Sequence, residues 1–327
     1  MKKMTNIEAL NLAMADAMAA DETIVMLGED IADLEEGGVC GVTKGLSTRF
    51  PDRVRSTPIS EQAIVGAAIG ASLAGLRPVA EIMLMNFTTV AMDMIFNHAA
   101  KLRFMSGGQT NVPITIRMMT GTGFTSGGQH SDYLEAWFAH TPGLKVVAPW
   151  NAEDSYGLLR SCIADDDPCI FIENGPSYWT PSEVPDQLAP IPLGQASILR
   201  EGSDITIVSY ARILNEVVAA AETLATEAGI SVEVINLRTV QPWDRETVLA
   251  SVRKTGRLIV VHEAVMQFGV GAEIAAVVQK ELFGVLKGPV LRMGGAFSPV
   301  PFSKPLEDSF APRRNEIVEM VRGAVGK

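Results

Sequence analysis

Residues 57–84 read TPISEQAIVGAAIGASLAGLRPVAEIML. From Gln62 to Ala74 mostly apolar and small residues run without a charge, as in a buried helix, and the acid Glu61 opens the first turn, where the helix dipole favours it. Gly75 closes that run, and Pro78–Leu84 is a short apolar stretch of strand type. Toward the N-terminus, Ile24-Val-Met-Leu27 is a second such run, ending in Gly28-Glu29-Asp30 and preceded by Ile7, Leu10, Met14 and Met18 at helical spacing. Toward the C-terminus the pattern predicts a helix over 88–105, a strand over Val112–Met118 and a glycine-rich loop from Thr120 to Gln129. Strands at Leu144–Ala148 and Cys169–Ile172 then flank a helix that Asn151 caps and Glu153 and Asp154 begin. Apolar strands alternating with helices define an α/β fold with a mostly parallel sheet.

The alternation lapses after Asn174, where Pro176, Pro181, Pro185, Pro190 and Pro192 interrupt any period. It resumes with strands at Ile205–Tyr210, Val232–Ile235, Leu258–His262 and Val290–Met293, and helices near 213–228, 243–253 and 270–283. The expected organisation is a domain over 1–175, a Pro-rich linker over 176–203 and a smaller α/β domain over 204–327. A chain of 327 residues with 47% hydrophobic residues can bury two cores. Its 38 acids against 27 bases give a net charge of −11, which argues against a phosphate backbone as the main ligand. Three cysteines (Cys40, Cys162, Cys169) form no CxxC pair, which fits a reducing compartment. The longest uncharged run, Gln62–Leu76, falls short of the roughly 18 residues of a membrane span. A soluble, cytoplasmic protein is expected.

Most generic motifs are missing. There is no G-x-S-x-G elbow, no H-E-x-x-H and no P-loop, and Gly269-Val-Gly271 lacks the third small residue of a dinucleotide fingerprint. His98, His130, His140 and His262 are too scattered to suggest zinc. What remains is carboxylates and glycine loops at strand ends, where open α/β sheets hold their ligands. Glu29 follows the first strand and Glu61 opens a helix. Asp93 lies in an apolar helix, and His130 follows the glycine loop, where an imidazole could exchange protons near neutral pH. Each of these also has an ordinary structural explanation, so spacing alone stops at a two-domain α/β protein.

Longer strings carry more. GED (28–30), GVTKGL (41–46), TPISE (57–61), GLRPVAEI (75–82), AAKLRFMSGGQ (99–109), GGQHS (127–131), PGLKVV (142–147), SVEVINLRTVQP (231–242) and KTGRLIVVHEA (254–264) occur in one order. Together they resemble the β subunits of the thiamine-diphosphate-dependent decarboxylating component of 2-oxo acid dehydrogenase complexes. Pyruvate, branched-chain 2-oxo acid and acetoin dehydrogenases belong to that family. The resemblance implies a transketolase-like pyrimidine-binding domain followed by a transketolase C-terminal domain.

Carried over residue by residue, the resemblance gives Glu61 as the carboxyl that hydrogen-bonds the aminopyrimidine ring and favours its imino tautomer. Phe87 would stack on that ring, Ile59 and Glu29 would line the cofactor, and His130 would be the active-site histidine. Leu84 and Met85 stand where relatives often have aromatic residues. Glu29, Glu61 and Asp93 match a polar path along which protons could pass between two active sites. The turn Ser161-Cys-Ile-Ala-Asp165-Asp-Asp167 matches a potassium site, with the carbonyls of Ile114, Cys162, Ile163, Asp165 and Asp167 as ligands. No Gly-Asp-Gly motif for the magnesium-bound diphosphate occurs in the chain, and in the family that half-site lies on an α subunit. The implied assembly is an α2β2 heterotetramer docked on the subunit-binding domain of a lipoyl acyltransferase core, whose basic face would suit an acidic chain. The expected reaction is oxidative decarboxylation of a 2-oxo acid, pyruvate first, with acetoin or a branched-chain 2-oxo acid as the alternatives.

Overall fold

The computed structural model describes residues 1–326. The chain divides into two compact units, one formed by 1–120 and 137–193, the other by 121–136 and the described residues from 194 onward.

In the first unit a parallel sheet contains β2 (Ile24–Glu29), β3 (Val54–Thr57), β4 (Arg77–Leu84), β5 (Thr115–Thr120), β6 (Lys145–Val147) and β7 (Cys169–Asn174). Their order is β6-β7-β5-β4-β2-β3, and every one of these pairs is parallel. Helices Asn6–Ala20 and Ala152–Ala164 pack together over one region of the core, where Leu10, Met14, Met18 and Leu158 are buried. Thr5 and Glu8 close a capping box at the start of the first of these helices. A separate antiparallel pair joins β1 (Lys2–Thr5) to β8 (Pro181–Val184), so part of the proline-rich stretch is strand.

The second unit holds β9 (Ser197–Arg200), β10 (Ile205–Ser209), β11 (Val232–Asn236), β12 (Thr239–Gln241), β13 (Leu258–Val265) and β14 (Leu291–Gly295). One sheet runs β14-β13-β10-β11-β9, with only β9 antiparallel. Helices Leu214–Ala228, Arg245–Thr255, Val270–Leu282 and Arg314–Val325 accompany it. The Gly269-Val-Gly271 string has a packing explanation. A side chain on Gly269 or Gly271 would come within 2.8–3.1 Å of the His262 imidazole, so these glycines make room for a buried ring.

One expectation is overturned. The continuous helix over 88–105 is instead a 3-10 turn Met85–Ala91, a π-type turn Met94–Ala99 and a single α-turn Leu102–Met105. Thr88, Thr89 and Val90 are β-branched and disfavour a regular helix, and Thr88 and Thr89 turn their hydroxyls back onto the carbonyls of Met85 and Asn86.

Candidate functional site

In the first unit the chain leaves β2 for β3 on one side and returns to β4 on the other. The crevice beyond the ends of β2 and β4 is therefore a topological switch point, the usual ligand position in such sheets. Glu29 ends β2 in register with Thr57, the last residue of β3. Glu61 is the first residue of helix Glu61–Leu73, and Ser60 before it makes no side-chain capping bond. Among the described residues the Glu61 carboxylate takes part in no hydrogen bond or ion pair. Ile59 beside it is 76% exposed. Burial, then the like charges of Asp30 and Glu61, hold the Glu29 carboxyl above the usual glutamate range. The two glutamates therefore lie within electrostatic reach of each other.

Phe87 enters directly after β4, half-buried in the 3-10 turn. Leu84 and Met85 are buried just before it. Asp93 is brought to neither glutamate by a hydrogen bond. It is exposed, accepts from Asn97 Nδ2 at 2.8 Å and faces His98 Nε2 at 3.6 Å. The π-type turn produces that pairing, because five-residue spacing aligns Asp93 with His98.

The Asp165–Asp167 turn follows the end of helix Ala152–Ala164, where final carbonyls lack helical partners. Lys145 Nζ lies 2.6 Å from both carboxylate oxygens of Asp165, Arg103 pairs with Asp167, and Arg77 pairs with Asp166. The carbonyls of Ile114 and Cys162 each accept one backbone N–H, from Cys169 and Asp165, and retain a second lone pair. A cation at this turn would meet carbonyl oxygens, the acids being neutralised already. Among the described residues no group of three or more His, Cys, Asp or Glu side chains is arranged to hold a metal ion.

His130 belongs to the second unit, half-buried, its backbone N–H donating to the Gly127 carbonyl at 3.2 Å. Its loop ends at Glu135, fully buried, whose Oε1 accepts from the Tyr210 hydroxyl at 2.6 Å. Burial outweighs that bond and pushes the Glu135 carboxyl up to about 7. An unfolded chain titrates the same group near 4.5. The stabilisation from its protonated form is thus complete below pH 4.5 and is lost as the pH rises through 7, a swing of roughly 3 kcal/mol. Glu135→Gln keeps the acceptor for Tyr210 and is expected to flatten that slope. Denaturant titrations at pH 5 and pH 8 should show the parent losing roughly 2–3 kcal/mol more than the variant; parallel pH curves would exclude a titrating Glu135.

Sequence reasoning missed the buried acids Glu135, Glu263 and Glu307, and the ion pairs of Arg117 with Glu81 and Glu173. For Glu263 and Arg117 the signal was a charge inside an apolar strand, Leu258–Val265 and Thr115–Thr120, since a buried charge demands a partner; Glu135 and Glu307 lie in short helices and carry no such signal.

A parallel sheet followed by a second α/β unit is the two-domain arrangement of the transketolase class. The transketolase pyrimidine-binding domain model matches residues 2–179, and the transketolase C-terminal domain model matches 194–317. The fold is that of a split-gene transketolase, with a TM-score of 0.82 at 23% identity over 99% of this chain and 98% of that one. The acetoin:2,6-dichlorophenolindophenol oxidoreductase β subunit of Cupriavidus necator is 45% identical over 98% of this chain and 97% of its own. The pyruvate dehydrogenase E1 β subunit of Rickettsia felis is 43% identical over 98% of both chains. The human mitochondrial pyruvate dehydrogenase E1 β subunit is 41% identical over 98% of this chain and 90% of its own. The chain belongs to this family of pyruvate and acetoin dehydrogenase β subunits. No helix among the described residues is long and apolar enough to cross a membrane.

Proposed function

We propose that this chain is the β half of a thiamine-diphosphate-dependent dehydrogenase that oxidatively decarboxylates a 2-oxo acid, with pyruvate as the first candidate, and passes the acyl group to a lipoyl disulfide. The observation that carries the reading is the Glu61 carboxylate, unengaged beside Glu29 at the switch point of a pyrimidine-binding domain. An acid with no partner of its own can accept a ring N–H, and a half-buried Phe87 offers an aromatic face near the same edge. These residues fit the aminopyrimidine. When bound, the cofactor supplies the nucleophilic carbon and the electron sink for decarboxylation.

The chain's own residues have simpler tasks. Glu61 holds or releases a proton at the pyrimidine ring. Glu29, its carboxyl raised by burial and by Asp30 and Glu61, can carry a proton near the operating pH more readily than an ordinary glutamate. His130 orients the substrate carboxylate or the incoming sulfur. Asp93 extends the acidic path. This reading places magnesium and the diphosphate on an α subunit, and potassium at the Asp165–Asp167 turn on the carbonyls of Ile114, Cys162, Ile163, Asp165 and Asp167. It places the α2β2 enzyme in the cytoplasm, on a lipoyl acyltransferase core.

Acetoin cleavage is a second reading, favoured by the 45% identity to the Cupriavidus necator subunit over nearly its whole length. Co-purifying the chain with its α subunit and following dye reduction decides between them. With magnesium and thiamine diphosphate present, pyruvate is expected to be turned over faster than acetoin or branched-chain 2-oxo acids. The reverse order would transfer the assignment to acetoin, and inactivity with all three would sink the enzyme reading.

A further inference from the structure

The loop that carries His130 takes left-handed backbone that ordinary side chains rarely adopt. Thr125 has φ +55, a conformation that a β-branched residue adopts only when its surroundings enforce it. Gly127 has φ +75, and a side chain there would collide with the Phe302 ring at 2.5 Å. Something must hold this backbone in place.

Two acids distant in sequence do so. Glu307 is 2% exposed, and its Oε1 accepts from Gly123 N–H at 2.7 Å and Thr125 N–H at 3.1 Å, with Oε2 3.2 Å from the same Thr125 nitrogen. Glu263, equally buried, accepts from Thr122 N–H at 2.6 Å and from its hydroxyl at 2.7 Å. Arg212 donates to the Thr122 carbonyl at 3.1 Å. The order β14-β13-β10-β11-β9 puts a switch point of the second sheet between β10 and β13. Tyr210 and Arg212 follow β10, and Glu263 lies on β13. That crevice, where a ligand would sit in other sheets, holds the chain's own loop.

We infer that Glu307, seconded by Glu263, is a positioning residue for His130, fixing the strained Gly123–Thr125 backbone from which the Gly127–His130 turn is hung. Charge-assisted bonds to backbone N–H groups are the strong kind, and a carboxylate with two oxygens can serve both amides together. Neither acid touches the substrate on this account. The inference rests on the reading that His130 serves the reaction.

The test uses the assembled α–β enzyme, with dye reduction by pyruvate, or by acetoin if that is what the enzyme turns over. Glu307→Ala is expected to lower kcat/KM roughly 100-fold, the cost of a catalytic group displaced by about 1 Å. Glu307→Gln, which still presents an acceptor oxygen, should lose less than about a tenth of that. Adding Glu307→Ala to His130→Asn should cost nothing further, because a misplaced histidine and an absent one are equivalent. Thr125→Gly should restore part of the activity of Glu307→Ala, since glycine adopts φ +55 without strain. If Glu307→Ala does not fold, Glu307→Asp, one methylene short, should show the same non-additivity at a smaller loss. An equal further loss in the His130→Asn background would overturn the positioning role, as would parental activity of folded Glu307→Ala. Parental activity of His130→Asn would instead remove the reading on which it rests.

Discussion

Glu61→Gln is expected to lower cofactor-dependent turnover by roughly 10²–10⁴-fold, the range for loss of a general acid–base group. The substitution keeps the shape of the side chain and its place at the start of helix Glu61–Leu73. It removes the proton that a carboxyl can hold at a ring nitrogen, and an amide cannot replace it. Stability should change by less than about 1 kcal/mol, because no hydrogen bond or ion pair among the described residues is lost. Melting temperature and assembly with the α subunit should therefore match the parent, which separates a chemical defect from an unfolded one. A second readout is local. The negative charge of Glu61 is one of the influences that raise the Glu29 carboxyl, so neutralising it should let Glu29 titrate at lower pH. Isotope-labelled glutamate carboxyl resonances would follow that shift. Turnover of the variant near the parent rate would remove Glu61 from the mechanism.

The parts of this fold that were legible in sequence are those where burial dictates composition. Strands β7, β10 and β13 are buried on both faces, and β2 and β4 are buried or half-buried throughout, so all five read as apolar runs. Strand β3 was missed because Arg55 and Ser56 are exposed, and β9 because its two aliphatic residues are poorly buried, Ile198 being 43% exposed beside a half-buried Leu199. Helix Glu61–Leu73 was plain from its small residues and its closing glycine, whereas 85–105 shows a helical composition that local hydroxyl bonds and a five-residue repeat break up. The site divides in the same way. Glu29 at the end of β2 and Glu61 at the start of its helix were legible once the sheet was, whereas Phe87 came only from the family resemblance. The attachment of the His130 loop to Glu263 and Glu307 spans separations of 141 and 184 residues, and no local pattern encodes a contact of that range.

Arg117 is where the largest effect on stability is expected. Its side chain is 1% exposed in β5, where Nε and Nη2 donate to the two carboxylate oxygens of Glu173 at 2.6 and 2.8 Å and Nη1 donates to Glu81 Oε2 at 2.7 Å. The Tyr178 hydroxyl completes the shell on Glu173 at 2.5 Å. Strand register puts Glu81 directly opposite Arg117, and Arg117 opposite Phe171, two residues before Glu173, so all three charges project from one face of the sheet. Burial pulls the Arg117 guanidinium down, but the two carboxylates outweigh it and hold it charged. Burial pushes Glu81 up, against the attraction of Arg117. Arg117→Met removes the only cation and leaves two acids in the interior, a change that costs roughly 3–5 kcal/mol in buried pairs. Glu81, already held above the ordinary glutamate range by burial, loses the attraction of Arg117 and is driven further toward its protonated form, so the variant recovers stability as the pH falls and loses it as the pH climbs. Denaturant titrations should show a smaller deficit at pH 5 than at pH 8, and Arg117→Met combined with Glu173→Gln should recover part of the loss at pH 8. A deficit below about 1 kcal/mol at both pH values would mean that water reaches the cluster and that its charges add little to the stability of the sheet.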